Sequence, residues 1–463
     1  MLRLKTTDNN CSKKIPDIIK TASSADNDDE IFSAAHYSSL SRIANIPLKE
    51  LSQKNPDLLV FPYEIEKSYG KIGELPLFEM CGSCENLSEV KIKTGNLMGF
   101  VGIGSPDGGA VQLEISSRFA MGENDCFLHY MLKKVLGENL FSLNFNASSG
   151  SVFDLLFFMF PLALKNAFSQ GILKSYRTFE RNDANVKGVL NFPGHIRQNI
   201  PFCGKIAYKE RAQVFDNPVT ELVRHTIELI KTKPFGKSVL NCDLQTKSAA
   251  DQIMEITQNY SSHGRQKIIQ KNAKPVNHPF FTKWRPLQKL CLAILNHSKI
   301  NYHSDKKSVC GLLFDGAWLW EEYLNKILSP LGFEHPENKS QKGGIEMFRN
   351  NEPDFDKDFR KIFPDFYKKS GLILDAKYKP LQNSVGREDL YQAVSYMHTM
   401  KIARGGFIFP CKETDFKNKS YKLSGLGGII DVLGVKIPQT GNFSDFCSEI
   451  AEEETALRNL LAR

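Results

Sequence analysis

FPDFYKKSGLILDAKYK, residues 363 to 379, places a Pro-Asp pair ahead of an apolar run and then sets Asp375 and Lys377 on alternate positions of that run. Carboxylates and an ammonium are costly to bury, so their place in a strand-like segment asks for a reason. A strand ending in a polar loop is the plain explanation. The alternative is a site where carboxylates and a lysine do chemistry together. On a strand, residues two apart share a face, so Asp375 and Lys377 emerge side by side while Leu374 and Ala376 face the other way.

Phosphodiester hydrolysis needs a water deprotonated near neutral pH and a counter-charge for the pentacovalent phosphate, and a hard divalent cation held by carboxylates supplies both. Asp365 and Asp375 suit that role, and Lys377 suits orienting the water or stabilising phosphate charge. Carboxylates held close raise each other's pKa unless a cation lies between them, and Mg2+ is the cation these residues imply. Pro-Asp, a hairpin-length linker and Asp-x-Lys together form the PD-(D/E)xK signature of metal-dependent nucleases. LWEEY, 319 to 323, puts two acidic residues on a preceding helix. Many members of this nuclease class carry a further metal-site carboxylate on that helix; helix neighbours point about 100 degrees apart, so one of the two faces the site, and Glu321 is the choice. QAVSY, 392 to 396, matches the QxxxY pattern of RecB-like nucleases and puts Gln392 and Tyr396 on one helix face. With Lys379 they are candidates to support DNA or the site.

The surrounding chain narrows the choice. At 463 residues it can bury a large core and divide into about two to four domains. Its 41% hydrophobic and 24% charged residues are those of an ordinary globular protein. A net charge of +8 favours a polyanionic partner without proving one. LLFFMFPLAL, 155 to 164, falls short of the roughly 20 residues needed to span a bilayer and reads as a buried helix. With no secretory leader pattern, the expectation is a cytoplasmic protein. The ten cysteines have no regular spacing; Cys81 and Cys84 form a CxxC without the second pair a zinc ribbon needs. GIGSPDGG, 102 to 109, lacks the Lys-Ser/Thr of a phosphate loop and reads as a hairpin, and Gly236-Lys237-Ser238 lacks its leading glycine and reads as a surface turn. No nucleotide site is therefore expected in this chain.

The fold class expected is α/β, as an α+β multidomain chain. Residues 1–28 read as a flexible arm, 29–150 as a β-rich domain, 151–300 as a mainly helical region and 301–463 as a PD-(D/E)xK restriction-endonuclease-like domain. In the middle region, FDNPVTELVRHTIELIKTK, 215 to 233, has the cap and periodicity of an amphipathic helix. KSYRTFERNDANVKG, 174 to 188, and HGRQKIIQKNAK, 263 to 274, are basic stretches suited either to a phosphate track or to a solvated face.

LFDGAWLWEEYL, FPDF, LILDAKYK, DLYQAVSY and GGFIFP, in this order, resemble the C-terminal half of the McrC family, the nuclease subunit of McrBC-type restriction systems. NVKGVLNFPGHI, 185 to 196, and FDNPVTELVRHTIELI, 215 to 230, are similar to that family's middle region, although Val186-Lys187-Gly188 stands where the family often has Arg-Gly. The N-terminal part is more similar to the McrC-like subunit of LlaJI-type systems. The resemblance implies a division of labour: a hexameric AAA+ GTPase of the McrB type recognises and translocates double-stranded DNA. This chain would cut the DNA and stimulate nucleotide hydrolysis through its N-terminal β-rich domain. A stand-alone RecB-like exonuclease and a non-catalytic activator of the motor are the competing possibilities.

Overall fold

The structure, a computed structural model, describes residues 2–19, 31–55, 58–61, 71–105, 109–121, 125–136, 154–300, 309–336, 343–348, 361–369, 371–379, 381, 384–412, 416–425 and 427–462. The fold is mixed α/β, with several sheets and thirteen α-helices among these residues. Contacts within the chain gather it into two units, Met1–Phe153 with His303–Arg463, and Asp154–Tyr302.

In the first unit, a five-stranded sheet runs in the order Leu2–Thr7, Val111–Ser116, Leu97–Ile103, Val309–Asp315, Leu58–Phe61. The alternation of LRLKTT buries Leu2, Leu4 and Thr6 against the sheet's core. Residues 2–19 are thus structured, which corrects the expectation of a flexible arm over 1–28 for that part. The polar composition concealed a period-two apolar pattern that parallel pairing with Val111–Ser116 completes. Residues 20–28 lie outside the described residues. GIGSPDGG does connect an antiparallel hairpin, Leu97–Ile103 to Val111–Ser116. Val309–Asp315 was not foreseen as a strand; it returns to this sheet from the C-terminal region and pairs with both Leu97–Ile103 and Leu58–Phe61.

The second five-stranded sheet of this unit has the order Phe366–Lys368, Leu372–Ala376, Arg404–Cys411, Ile429–Lys436, Lys419–Lys422. Its three central strands are parallel and its outer pairs antiparallel. Their apolar runs are buried, as a sheet covered by helices requires. Arg387–Met400 covers the face of Ile373, Phe407, Phe409 and Ile430. Gly316–Leu328 and Phe443–Leu461 also pack against the sheet. Asp315 caps Gly316–Leu328 by accepting the Ala317 N–H at 3.0 Å, so one residue ends a strand of the first sheet and starts a helix on the second.

The second unit is built on helices Asp154–Phe168, Pro218–Lys231, Leu244–Ile256 and Trp284–Ile300. Asn217 caps Pro218–Lys231, accepting from Val219 and Thr220. The expected helical character is interrupted by an antiparallel ribbon, Ser175–Asp183 with Ile206–Val214, joined by the short strand Val189–Leu190. KSYRTFERNDANVKG is therefore largely strand, and Gly236-Lys237-Ser238 starts a short helix instead of a turn. Among the described residues no helix is long and apolar enough to cross a membrane.

Candidate active site

Leu372–Ala376 is paired on both edges, by Phe366–Lys368 and by Arg404–Cys411. Ile373 belongs to the core under Arg387–Met400, and Asp375, two residues on, faces the same side at 3% exposure. Lys377 lies just past the strand, but its N–H still donates to Ile408 O at 2.9 Å, so the alternation continues. Its Nζ sits 2.5 Å from Asp375 Oδ2. Asp365 arrives from the adjacent strand: Phe366 opposes Leu374, which puts Asp365 beside Asp375, and Asp365 Oδ2 accepts the Ala376 N–H at 2.8 Å. The Asp365 backbone carbonyl is held in turn by His335 Nδ1.

Burial, then the Asp375 carboxylate and then Glu321, push the Asp365 carboxyl well above the usual aspartate range. Glu321 is thus the helix residue of LWEEY that bears electrostatically on Asp365. Burial alone would depress Lys377, but Asp375, Asp365 and Asp389 together hold its ammonium above the ordinary lysine value. Three carboxylates crowd one ammonium, and the excess negative charge is what a bound cation relieves.

Arg387–Met400 supplies the wall of the site. Gln392 Nε2 donates to Tyr396 Oη at 2.6 Å, and Tyr396 Oη donates to Phe363 O at 3.2 Å, tying the helix to the residue before Pro364-Asp365. Burial raises the Tyr396 phenol to about 12, so it remains a neutral donor. Gln392 Oε1 accepts from Lys377 Nζ at 3.4 Å. Lys379 is half exposed and pairs with Asp389 at 2.6 Å. All seven residues singled out in the sequence lie in this neighbourhood. Asp389, 3.6 Å from Lys377 Nζ, and His335 were missed. Asp389 stands three residues before Gln392 on the same helix, a spacing that could have flagged it; His335 carries no local signature.

Asp375 Oδ2 has, among the described residues, no hydrogen-bond partner beyond its ion contact with Lys377. Among the described residues, no three His, Cys, Asp or Glu side chains close around a common point for a metal ion. In donor type, however, the set is carboxylate oxygen throughout, which suits a hard dication such as Mg2+.

The sequence matches the family described as "McrBC 5-methylcytosine restriction system component" over residues 92–410. No curated protein matches it. Among solved structures, it is similar to a chain of the "refined half-complex from tetradecameric assembly of Thermococcus gammatolerans McrB AAA+ hexamers with bound McrC", at 14% identity and TM-score 0.50, covering 99% of this chain and 100% of that one. A chain of the cryo-EM structure of the Thermococcus gammatolerans McrBC complex gives 14% identity and TM-score 0.34, over 71% of this chain and 88% of that one.

Proposed function

Because the chain belongs to the McrBC family of 5-methylcytosine restriction system components, we propose that its C-terminal sheet carries a PD-(D/E)xK nuclease site that cuts double-stranded DNA. The observation that carries this reading is the convergence of Asp365, Asp375 and Lys377 at the end of one strand pair, with Glu321 acting on Asp365 from a separate helix. Asp365 and Asp375 would hold Mg2+, which when bound supplies a readily ionised water and a counter-charge for the phosphate, and Glu321 adds negative charge beside them. Lys377, kept charged by its carboxylate neighbours, is placed to hold the attacking water or a phosphate oxygen. Tyr396 fixes the Pro364-Asp365 segment through Phe363, and Gln392 fixes both Tyr396 and Lys377. Lys379, at the exposed rim, is suited to a DNA phosphate.

The partner proposed is a McrB-type AAA+ GTPase ring, the kind of protein named with McrC in the similar solved assembly. The ring would recognise and move DNA. This chain would bind it through the β-rich 29–150 region, stimulate its nucleotide hydrolysis and cut, in defence against foreign DNA.

The test is plasmid cleavage in Mg2+ by wild type and Asp375→Ala, each with and without the partner ring and nucleotide. Wild type is expected to cut with the partner, and Asp375→Ala to lose cutting at least a hundredfold while still stimulating the ring. Undiminished cutting by a clean Asp375→Ala preparation would refute the site.

A further inference from the structure

Tyr378 directly follows Lys377 and is buried to 4% exposure where the chain leaves the sheet. Its ring lies under the Arg118 guanidinium, whose Cζ is 4.6 Å from the ring centroid, and its hydroxyl reaches the Met98 sulfur at 3.5 Å. Arg118 Nη2 donates to the Tyr378 carbonyl at 2.6 Å. One guanidinium therefore grips both the ring and the backbone of the residue next to Lys377.

The grip is itself braced. Leu2–Thr7 and Val111–Ser116 run parallel, with Thr7 opposite Ser116, so the residues just past both strands come together. Asp8, fully buried, accepts the Arg118 backbone N–H through Oδ1 and places Oδ2 3.8 Å from Arg118 Nε. The bond to Asp8 Oδ1 fixes the Arg118 backbone, the 3.8 Å approach to Nε is an ion contact and not a hydrogen bond, and a stacked arginine is fixed in orientation as well as position. A Cβ on Gly316 would lie 2.8 Å from Tyr378 Cε1. Gly316 starts the helix that carries Glu321. The Tyr378 ring thus touches the start of that helix while its backbone directly follows Lys377.

We propose that Arg118, braced by Asp8, is a positioning residue for the cleavage site: by clamping Tyr378 it sets where the Lys377 ammonium stands relative to Asp375 and Glu321. This rests on the phosphodiesterase reading of the site. Lys377 has left the strand ladder proper and keeps one backbone bond to it, the N–H to Ile408 O. The next anchor along the described chain is the Arg118 grip. A displacement of about 1 Å in a reacting group costs on the order of a hundredfold in rate.

The experiment compares Arg118→Gln, Arg118→Lys and Asp375→Ala as full chains with the partner ring, reading kcat and KM for DNA cleavage, thermal melting, and hydrogen exchange of the Lys377 amide without metal. Arg118→Gln is expected to lower kcat by about ten- to a hundredfold with KM for DNA within twofold. Its Lys377 amide should exchange faster, and Arg118→Lys, which keeps a charged donor, should recover part of kcat. A kcat within twofold of wild type in Arg118→Gln overturns the proposal, as does an unchanged Lys377 exchange rate. If Arg118→Gln does not fold, Arg118→Lys decides alone: a folded chain with lowered kcat supports the clamp, and wild-type kcat overturns it. Asp375→Ala separates the two claims. If it still cuts, the nuclease reading itself falls; if it is inactive and Arg118→Gln is normal, only the clamp falls.

Discussion

At the scale of single residues, the chain buries carboxyl groups in two different ways. Asp365 and Asp375 lie side by side on paired strands with the Lys377 ammonium against Asp375, a crowding of like charges for which the proposed metal chemistry gives a reason. Asp125 is buried for structure: it accepts backbone N–H groups from Ser117 and from Leu128, capping the Cys126–Leu136 helix. Burial nevertheless dominates and raises its carboxyl to about 6. The folded state then holds a proton that the unfolded chain releases near pH 4, so this group's contribution to stability is full below about pH 4 and is lost as pH rises through about 6. Urea unfolding of wild type and Asp125→Asn across that range should show wild type losing about 3 kcal/mol relative to the variant as pH increases. Parallel profiles would contradict the assignment.

At the scale of elements, the helix bearing Glu321 is placed by what surrounds its first residue. Gly316 donates its N–H to Asn96 O at 2.8 Å, and a Cβ there would meet Asn96 O at 2.9 Å as well as the Tyr378 ring. Gly316→Ala should therefore cost about 1 to 3 kcal/mol by overpacking, measured by denaturant midpoint, and should slow DNA cleavage because the helix must shift to make room. A variant as stable and active as wild type would show that the contact yields freely. The ribbon of the second unit illustrates the reverse case, an element that pairing makes visible and sequence does not. Its charges occupy both faces, so SYRTFERND shows no alternation of apolar and polar residues. The strands hold through cross-strand partners instead: Lys209 with Glu180, Arg181 with Glu210, and Arg211 over the Tyr176 ring.

At the scale of the molecule, the regions 29–150 and 301–463 contribute to one compact unit, because Val309–Asp315 completes the N-terminal sheet before the chain enters the C-terminal one. The partner-binding and cleaving regions proposed here are thus joined by a shared strand and by the Asp8–Arg118–Tyr378 contacts. Deleting residues 2–7 removes the strand that buries Leu2 and Leu4 and exposes the edge of Val111–Ser116. Such a chain should melt at a lower temperature and lose cleavage, although every residue of the cleavage site remains. Full cleavage with an unchanged melt would mean that the two sheets act independently.

Local sequence carried the candidate site. Pro364-Asp365, Asp375, Lys377, Gln392 and Tyr396 lie within one short stretch of chain, and the periods of strand and helix suffice to predict which of them share a face. It also marked a cap ahead of the Pro218–Lys231 helix, which the structure assigns to Asn217, and the apolar run of 372–376, since each depends on neighbours a few positions away. Only the tertiary structure decided that Glu321 comes near enough to bear on Asp365, that Val309–Asp315 joins a sheet whose other members all lie within the first 116 residues, and that Asp8 and Arg118 meet beside Tyr378. Those contacts join residues far apart in the chain, and their cause is the pairing and packing of whole elements, for which no spacing within the sequence gives a sign.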